Sequence, residues 1–236
     1  MMETNDKYMS VPIGLLRDIH KNKESVIHEM FTYGIYDRAL KLYPNMEIVE
    51  TFAIEESMNY LGLTVNDLET RLERGHKAYA RYCKQPTASI KKTLLFDIRD
   101  GKMTEFELMV VSAFIGLRSM IGTKAYLKAT DDYLVCRMFG YDSKEEYLNA
   151  RPTKQDKDLR VKYSKRYQLD KIKKTLQNEW NLVYYSQHTR GFYVSFKLSF
   201  EALVNCALDK KDLYKQKELE RKITIQSIKL IDWWLH

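Results

Sequence analysis

The chain has 236 residues, a formal net charge of +7 and 44% hydrophobic residues. This length allows one large or two small domains with a hydrophobic core, and the low content of 9 Gly and 4 Pro argues against a disordered chain. The longest apolar run, residues 106–117, is too short for a membrane helix, and the N-terminus lacks the basic and apolar segments of a signal peptide. We therefore expect a cytoplasmic protein without a membrane partner.

Neither the cysteines nor the histidines are spaced for a metal site. Cys83, Cys136 and Cys206 lie far apart without a CxxC pair, and the five histidines include no HExxH motif and no i, i+4 pair. The cysteines are predicted to be buried thiols, and no metal or cofactor is expected.

The positive charge is concentrated in one segment. Residues 151–200 hold 12 Lys and Arg against 4 Asp and Glu, whereas residues 1–150 hold 20 against 22 and residues 201–236 hold 7 against 6. A local excess of this kind suits an anionic partner, although a solvated basic surface would produce it too.

The first hundred residues have helical periodicity. A helix is predicted over 23–44, and a helix, a sharp turn and a second helix over 49–82. Gly62 is placed as the turn glycine and Thr64 as the N-cap of the second helix, so that 52–75 is a possible helix-turn-helix.

Two polar segments, 83–92 and 97–103, predict a domain boundary near residue 100. The predicted organisation is a helical N-terminal region over 1–100, a second domain over 101–200 and a C-terminal helical extension over 201–236.

The second domain is predicted to begin with a buried helix over 103–122. Thr104 and Glu107 have the spacing of a capping box, and the apolar residues that follow are nearly continuous. This helix should be the spine of the domain.

Short elements follow: a strand over 124–129, a helix over 130–141 that ends at Gly140, and a helix over 143–148. Their predicted N-caps are Thr130 and Ser143. The polar segment 149–165 is predicted to be a loop or surface insertion.

A basic helix over 164–180 precedes a predicted hairpin. The strands are "LVYYS" (182–186) and "FYVSFKL" (192–198), and Gly191 is predicted to have a positive φ in the turn between them. The predicted fold class is mainly α with a small β-hairpin wing (α+β).

The order helix, small strand, helix, helix and hairpin resembles the winged-helix DNA-binding superfamily over 104–198. "LVCRMFGYDSKEEYL" (134–148) is similar to the helix-turn-helix of transposases and mobile-element regulators, and the Lys- and Tyr-rich composition resembles phage or plasmid replication and regulatory proteins. The resemblance implies binding of double-stranded DNA. The segment between the short helix and the basic helix is longer than the family's tight turn, so either of these helices could be the recognition helix.

The basic helix supplies the candidate DNA-binding residues. At 100° per residue, one face is apolar and predicted to be buried: Leu169, Ile172, Leu176 and Trp180. The opposite face and its flank carry groups suited to phosphates and base edges: Tyr167, Lys171, Lys174, Gln177 and Asn178. The hairpin tip adds three more candidates: Gln187, His188 and Arg190.

Two alternatives for these residues remain open. Lys171 and Lys174 could be ordinary solvated lysines. The hairpin aromatics are predicted to alternate as packing residues and not to stack on bases: Tyr184, Tyr185, Phe192 and Tyr193.

No catalytic motif is found. The segment 116–124 has a superficial likeness to a P-loop, but its glycine spacing and the order Gly-Thr-Lys do not fit. We therefore expect a non-catalytic DNA-binding protein, a replication or transcription factor of a phage or plasmid, with a possible homodimer through a helix over 213–236. The alternative is a helical accessory or inhibitor protein whose basic face binds an acidic protein.

Overall fold

The computed structural model describes residues 8–43, 45–61, 65–186, 191–211, 216, 220 and 221. These residues form a mainly helical structure with two small antiparallel sheets. The predicted class, mainly α with a small β component, is confirmed.

The N-terminal part combines helices with one strand pair. In chain order its elements are β1 (Tyr8–Pro12), a 3-10 helix (Ile13–Asp18), α1 (Lys23–Leu42), α2 (Met46–Leu61), α3 (Val65–Tyr82), β2 (Thr87–Lys91) and α4 (Lys92–Arg99). The predicted helices over 23–44 and 49–82 are confirmed. The turn residues Gly62 and Thr64 lie outside the described residues, so the possible helix-turn-helix at 52–75 stays a prediction.

The strands β1 and β2 form a pair that the sequence did not predict. They run antiparallel, with Tyr8 opposite Lys91 and Pro12 opposite Thr87. Along β2 the side chains alternate, because Ala88 and Ile90 are buried while the alternate polar residues of the strand are exposed. Part of the polar character of segment 83–92 thus comes from the solvent-exposed face of β2.

The remaining elements follow the predicted order. They are α5 (Glu105–Ile121), β3 (Leu127–Ala129), α6 (Asp131–Met138), α7 (Lys144–Asn149), α8 (Lys154–Tyr163), α9 (Arg166–Glu179), β4 (Val183–Tyr185), β5 (Phe192–Ser195) and a helix over 200–211, here α10. The strand predicted over 124–129 is shorter than expected. The capping box of Thr104 and Glu107 is confirmed, as are the caps by Thr130 and Ser143.

Helix α8 corrects the prediction of a loop over 149–165. It begins with a capping box in which Thr153 and Asp156 exchange hydrogen bonds, and Leu159 and Tyr163 are buried at i, i+4 spacing. Only two buried apolar positions mark α8 in a polar sequence, so the helical periodicity of this segment is too weak to predict a helix.

The second sheet has the strand order β3-β5-β4, with both pairs antiparallel. Val194 of β5 lies opposite Leu127 on one side and Tyr184 on the other. Gly191 has φ 107°, which confirms the predicted positive φ, and a Cβ there would lie 2.7 Å from the Ala129 carbonyl oxygen.

Helix α5 packs against both halves of the protein. Leu108, Val111 and Ile115 belong to the core of the N-terminal part, whereas α5 side chains on the other side join a core with α6 and α9. Its role as a buried spine is confirmed. The boundary near residue 100 stays a prediction, because the same helix serves both cores.

The 3-10 helix is attached to the turn between α6 and α7. Arg17 Nε donates a hydrogen bond to the Gly140 carbonyl oxygen over 2.9 Å, and the same guanidinium forms an ion pair with Glu146. Gly140 ends the α6 region as predicted, with φ 78°. Beyond the 3-10 helix, Lys21 lies 3.0 Å from Asp156 of α8.

His20 lies in the same junction, and its Nε2 is buried without a hydrogen-bond partner among the residues that the structure describes. Burial is the main cause that lowers the pKa of the His20 imidazole below the ordinary 6.5, and the nearby Lys23 lowers this pKa further. The carboxylates of Glu105 and Asp156 raise the pKa, but they do not cancel the effect of burial. The folded protein therefore holds His20 neutral at pH values where the unfolded chain protonates it.

We expect acidification to destabilise the wild type more than His20→Gln. The unfolded chain binds the extra proton below pH 6.5, so the free energy of unfolding falls there by up to about 1.4 kcal/mol per pH unit, until the folded imidazole also titrates. Urea unfolding at pH 7.5 and 5.5 measures this difference. Equal pH dependence in both proteins would contradict the assignment.

The three cysteines are free thiols, but they are not all buried. Cys136 is buried, Cys206 is half-buried and Cys83 is exposed. The prediction of a buried thiol is wrong for Cys83, because this residue lies just past the end of α3 in the turn to β2.

Candidate nucleic-acid interface

Helix α9 is held in place by its apolar side. Leu169, Ile172 and Leu176 are buried in the core that α5 shares with α6, and Trp180, the residue after the helix, is half-buried against both cores. The predicted burial is therefore confirmed for the three residues within the helix and only in part for Trp180, and the apolar side fixes which side of α9 meets solvent.

The opposite side of α9 is polar and exposed. Its members are Tyr167, Lys171, Lys174, Gln177 and Asn178, which we call the α9 polar face. Tyr167 is 64% exposed, and its hydroxyl accepts a hydrogen bond of 2.6 Å from the amide of Gln168. The structure thus brings these five predicted residues together on one surface.

The two lysines of this face differ in their contacts. Lys174 makes no hydrogen bond or ion pair with any described residue. Lys171 Nζ lies 4.5 Å from the ring centroid of Phe106, near the start of α5, which is a cation-π distance. Neither ammonium group is neutralised by a carboxylate in the described part of the chain, so both are available to an anion.

Lys173 has a different environment from its two neighbours on α9. It is only 4% exposed, and its Nζ lies 2.7 Å from Asp131 and 3.4 Å from Asp170. The ammonium group also lies 4.8 Å from the ring centroid of Phe192 in β5. Lys173 therefore connects α9 with α6 and the sheet, and its side chain is not exposed to an external anion.

Spacing could have identified Lys173 from the sequence. The residue lies four positions after Leu169 and three before Leu176, which places it on the inward side of α9. A charged side chain is usually exposed, but the carboxylate of Asp131 at the start of α6 provides an ion-pair partner that only the fold reveals.

Other cations of the basic segment are also engaged within the protein. Arg160 donates hydrogen bonds to the Tyr141 hydroxyl over 2.6 Å and to the Tyr147 carbonyl oxygen over 3.3 Å. Several remain exposed without a carboxylate partner among the residues the structure describes: Arg151, Lys154, Lys157, Lys165 and Lys197. Part of the local charge excess is thus structural, and part is open to solvent.

Glu105 couples the start of α5 to α8. It accepts hydrogen bonds from Lys162 Nζ over 2.7 Å and from the Tyr163 hydroxyl over 2.9 Å. The Lys162 contact is the main cause of a lowered pKa for Glu105, and burial together with the Glu105 contact raises the pKa of Tyr163 to about 12. These contacts fix α8 beside α5, and the Glu105 carboxylate neutralises the exposed ammonium group of Lys162.

The described part of the hairpin consists of its two strands, β4 and β5. Gln187, His188 and Arg190, the predicted tip contacts, lie outside the described residues. Phe192 and Tyr193 are buried, and Tyr184 and Tyr185 are half-buried, which agrees with the prediction that they pack. Ser195 Oγ anchors β5 by donating a hydrogen bond of 2.7 Å to the Ala125 carbonyl oxygen.

Within the described ranges, no group of three or more His, Cys, Asp or Glu side chains could hold a metal ion. The described helices also include none that is both long and apolar enough to cross a membrane. The helix predicted over 213–236 lies almost wholly outside the described residues, so dimerisation through it stays a prediction.

Comparison with known proteins adds no relative to this description. No family model matches the chain, and no curated protein or solved structure shows significant similarity to it.

Proposed function

We propose that this chain is a non-catalytic, winged-helix-like protein that binds double-stranded DNA, with α9 as the recognition helix. The observation that carries the proposal is the α9 polar face, where two ammonium groups that have no carboxylate partner among the described residues stand beside exposed amides. Ammonium groups suit phosphates, and the Gln177 and Asn178 amides suit base edges in a major groove.

The connection of α9 to the sheet supports this choice of helix. Helix α9 leads within four residues into β4, and the sheet β3-β5-β4 packs on the core that holds α9. Helix α7, the other candidate, has six residues and none of them is buried. A helix with a fixed rotation can present the same residues to every DNA site, which is what base readout requires.

The biological role that we propose is replication or transcription control in a phage or plasmid. It rests on the sequence resemblance of the segment 134–148 to mobile-element regulators. The exposed Lys171 and Lys174 side chains of α9 are consistent with it.

The phosphate contacts are tested with Lys171→Ala and Lys174→Ala. Each variant should weaken binding to all duplex sequences alike and reduce the slope of log affinity against log salt by about one, because one released counterion is lost per phosphate contact. Fluorescence anisotropy with random duplex DNA across a salt series measures the slope. Lys84→Ala, an exposed lysine in the turn after α3 without a described partner, is the matched control and should leave the slope unchanged.

The same titrations can reject the proposal. Unchanged affinity in both α9 variants, with melting temperatures like that of the wild type, would contradict DNA binding by this face. That result would favour the alternative, an acidic protein partner for the basic surface.

Base readout is tested with Asn178→Ala. If the Asn178 amide meets a base edge, the variant should lose about 1–3 kcal/mol on a preferred site and much less on random DNA. The preferred site is selected from a random duplex pool with the wild-type protein. Equal losses on both DNAs, or a selection that enriches no site, would contradict a reading role for Asn178.

A further inference from the structure

A second candidate site lies away from the α9 polar face. It is a cleft of 460 Å³ between the β1–β2 sheet with α4 on one side and the end of α5 with the turn after α9 on the other. Its volume falls within the range of about 300–1,000 Å³ that is typical of small-molecule sites. None of the five residues of the α9 polar face lines it.

Aromatic rings form one wall of this cleft. The Phe114 ring lies 4.6 Å from that of Trp180 and 5.3 Å from that of Phe196, measured between centroids. All three side chains line the cleft and are only partly buried. Aromatic surface that is left accessible in a concave site favours a flat, apolar ligand group.

Cationic and hydroxyl groups line the same space. The Arg118 guanidinium lies 5.4 Å from the Phe196 centroid, and it makes no hydrogen bond or ion pair with any described residue. Lys91, Ser89 and Thr93 are exposed lining residues whose side chains also have no such partner in the described ranges. Together these groups can bind an anion, with Arg118 able to bind a phosphate through two N–H groups.

Two carboxylates complete the lining. Asp97 lies 3.6 Å from Lys102, whereas Glu179 has no ion pair with a described residue. A ligand that is only an anion would meet repulsion from Glu179, but an amino group on a flat ring could donate a hydrogen bond to it. The required ligand therefore combines a flat ring, hydrogen-bond donors on that ring and an anionic group.

We propose that the cleft binds a nucleotide, with its base against Trp180 and its phosphate at Arg118 and Lys91. A free mononucleotide and an unpaired nucleotide of single-stranded DNA share this chemistry. The inference goes beyond duplex binding by α9 and does not depend on it, because the two surfaces have no residue in common.

Nucleotide binding can be measured by the fluorescence of Trp180. The chain has 3 Trp, so Trp233→Phe and Trp234→Phe in the full-length protein leave Trp180 as the reporter. We expect adenosine 5′-monophosphate to change its fluorescence with saturation, and ribose 5-phosphate and adenosine to bind at least about tenfold more weakly, since each lacks one of the two recognised groups. A three-nucleotide deoxyadenosine strand distinguishes the sources: tighter binding than the mononucleotide indicates single-stranded DNA, and weaker binding indicates the free nucleotide.

Arg118→Gln should weaken mononucleotide binding by roughly tenfold or more, because it removes a charge-assisted hydrogen-bond donor. Thr93→Trp should abolish mononucleotide binding by filling the cleft from an exposed position. This variant tests whether the cleft is the binding site if Arg118→Gln fails to fold. Lys124→Gln, an exposed lysine near the end of α5 that does not line the cleft, is the control.

Three results would overturn the proposal. They are no saturable signal up to about 5 mM mononucleotide, equal binding of ribose 5-phosphate and the mononucleotide, or wild-type affinity in a folded Thr93→Trp variant. Duplex binding is measured separately on the same preparations, so failure of the DNA-binding proposal leaves this result interpretable.

Discussion

Gly140→Ala should lower the free energy of unfolding by about 2–5 kcal/mol. Gly140 has φ 78°, where a Cβ is strained, and that Cβ would lie 2.7 Å from the Ile13 carbonyl oxygen and 2.9 Å from the Arg17 backbone nitrogen. Both contacts are backbone atoms, which cannot rotate away as a side chain can. The substitution should therefore push the 3-10 helix off the turn between α6 and α7.

Gly101→Ala is the matched control for this prediction. Gly101 has φ 69°, but nothing lies within 4 Å of a Cβ built there, so only the backbone strain of about 1–2 kcal/mol applies. Urea unfolding of both variants separates strain from the clash. Equal losses would contradict close packing of the 3-10 helix against Gly140.

Lys173→Ala should cost about 2–3 kcal/mol of folding free energy. The substitution removes the 2.7 Å ion pair with Asp131, the contact with the Phe192 ring and the packing of a buried aliphatic stem. The expected loss is below that of a fully buried ion pair because the Asp131 side chain is 43% exposed and keeps part of its hydration.

Two comparisons test this explanation. Lys174→Ala, one residue away and exposed, should change stability by about 0.5 kcal/mol or less. Lys173→Met keeps the apolar stem and should recover part of the loss, because replacing a buried charge by an apolar group of similar volume is often tolerated. Chemical unfolding decides the outcome: similar stabilities for Lys173→Ala and Lys174→Ala would show that the ion pair of Lys173 with Asp131 contributes little.

Lys173 also changes how the basic segment is understood. By net charge alone, all twelve of its Lys and Arg residues are equivalent candidates for an anionic partner. In the structure, three of these cations already have partners within the protein. Lys173 forms an ion pair with Asp131, Lys162 forms one with Glu105, and Arg160 donates a hydrogen bond to the Tyr141 hydroxyl. Among the exposed cations that remain, the two lysines of the α9 polar face are the ones that stand beside the exposed amides of Gln177 and Asn178.

Local signals in the sequence determined much of the secondary structure. The capping box at Thr104, the caps at Thr130 and Ser143 and the positive φ at Gly191 depend on residues within a few positions of one another. The inward side of α9 also follows from its own 3.6-residue period. Hydrogen bonds and side-chain neighbours within one turn are encoded by spacing, so they can be predicted without the fold.

Only the tertiary structure decided the contacts between distant segments. The pairing of β1 with β2 joins residues about eighty positions apart, and the cleft forms where this sheet meets the ends of α5 and α9. Whether Lys173 is buried depends on Asp131, which lies on another helix. Spacing along the chain carries no information about such partners, because burial and ion pairing are determined by what the folded chain brings together from elsewhere.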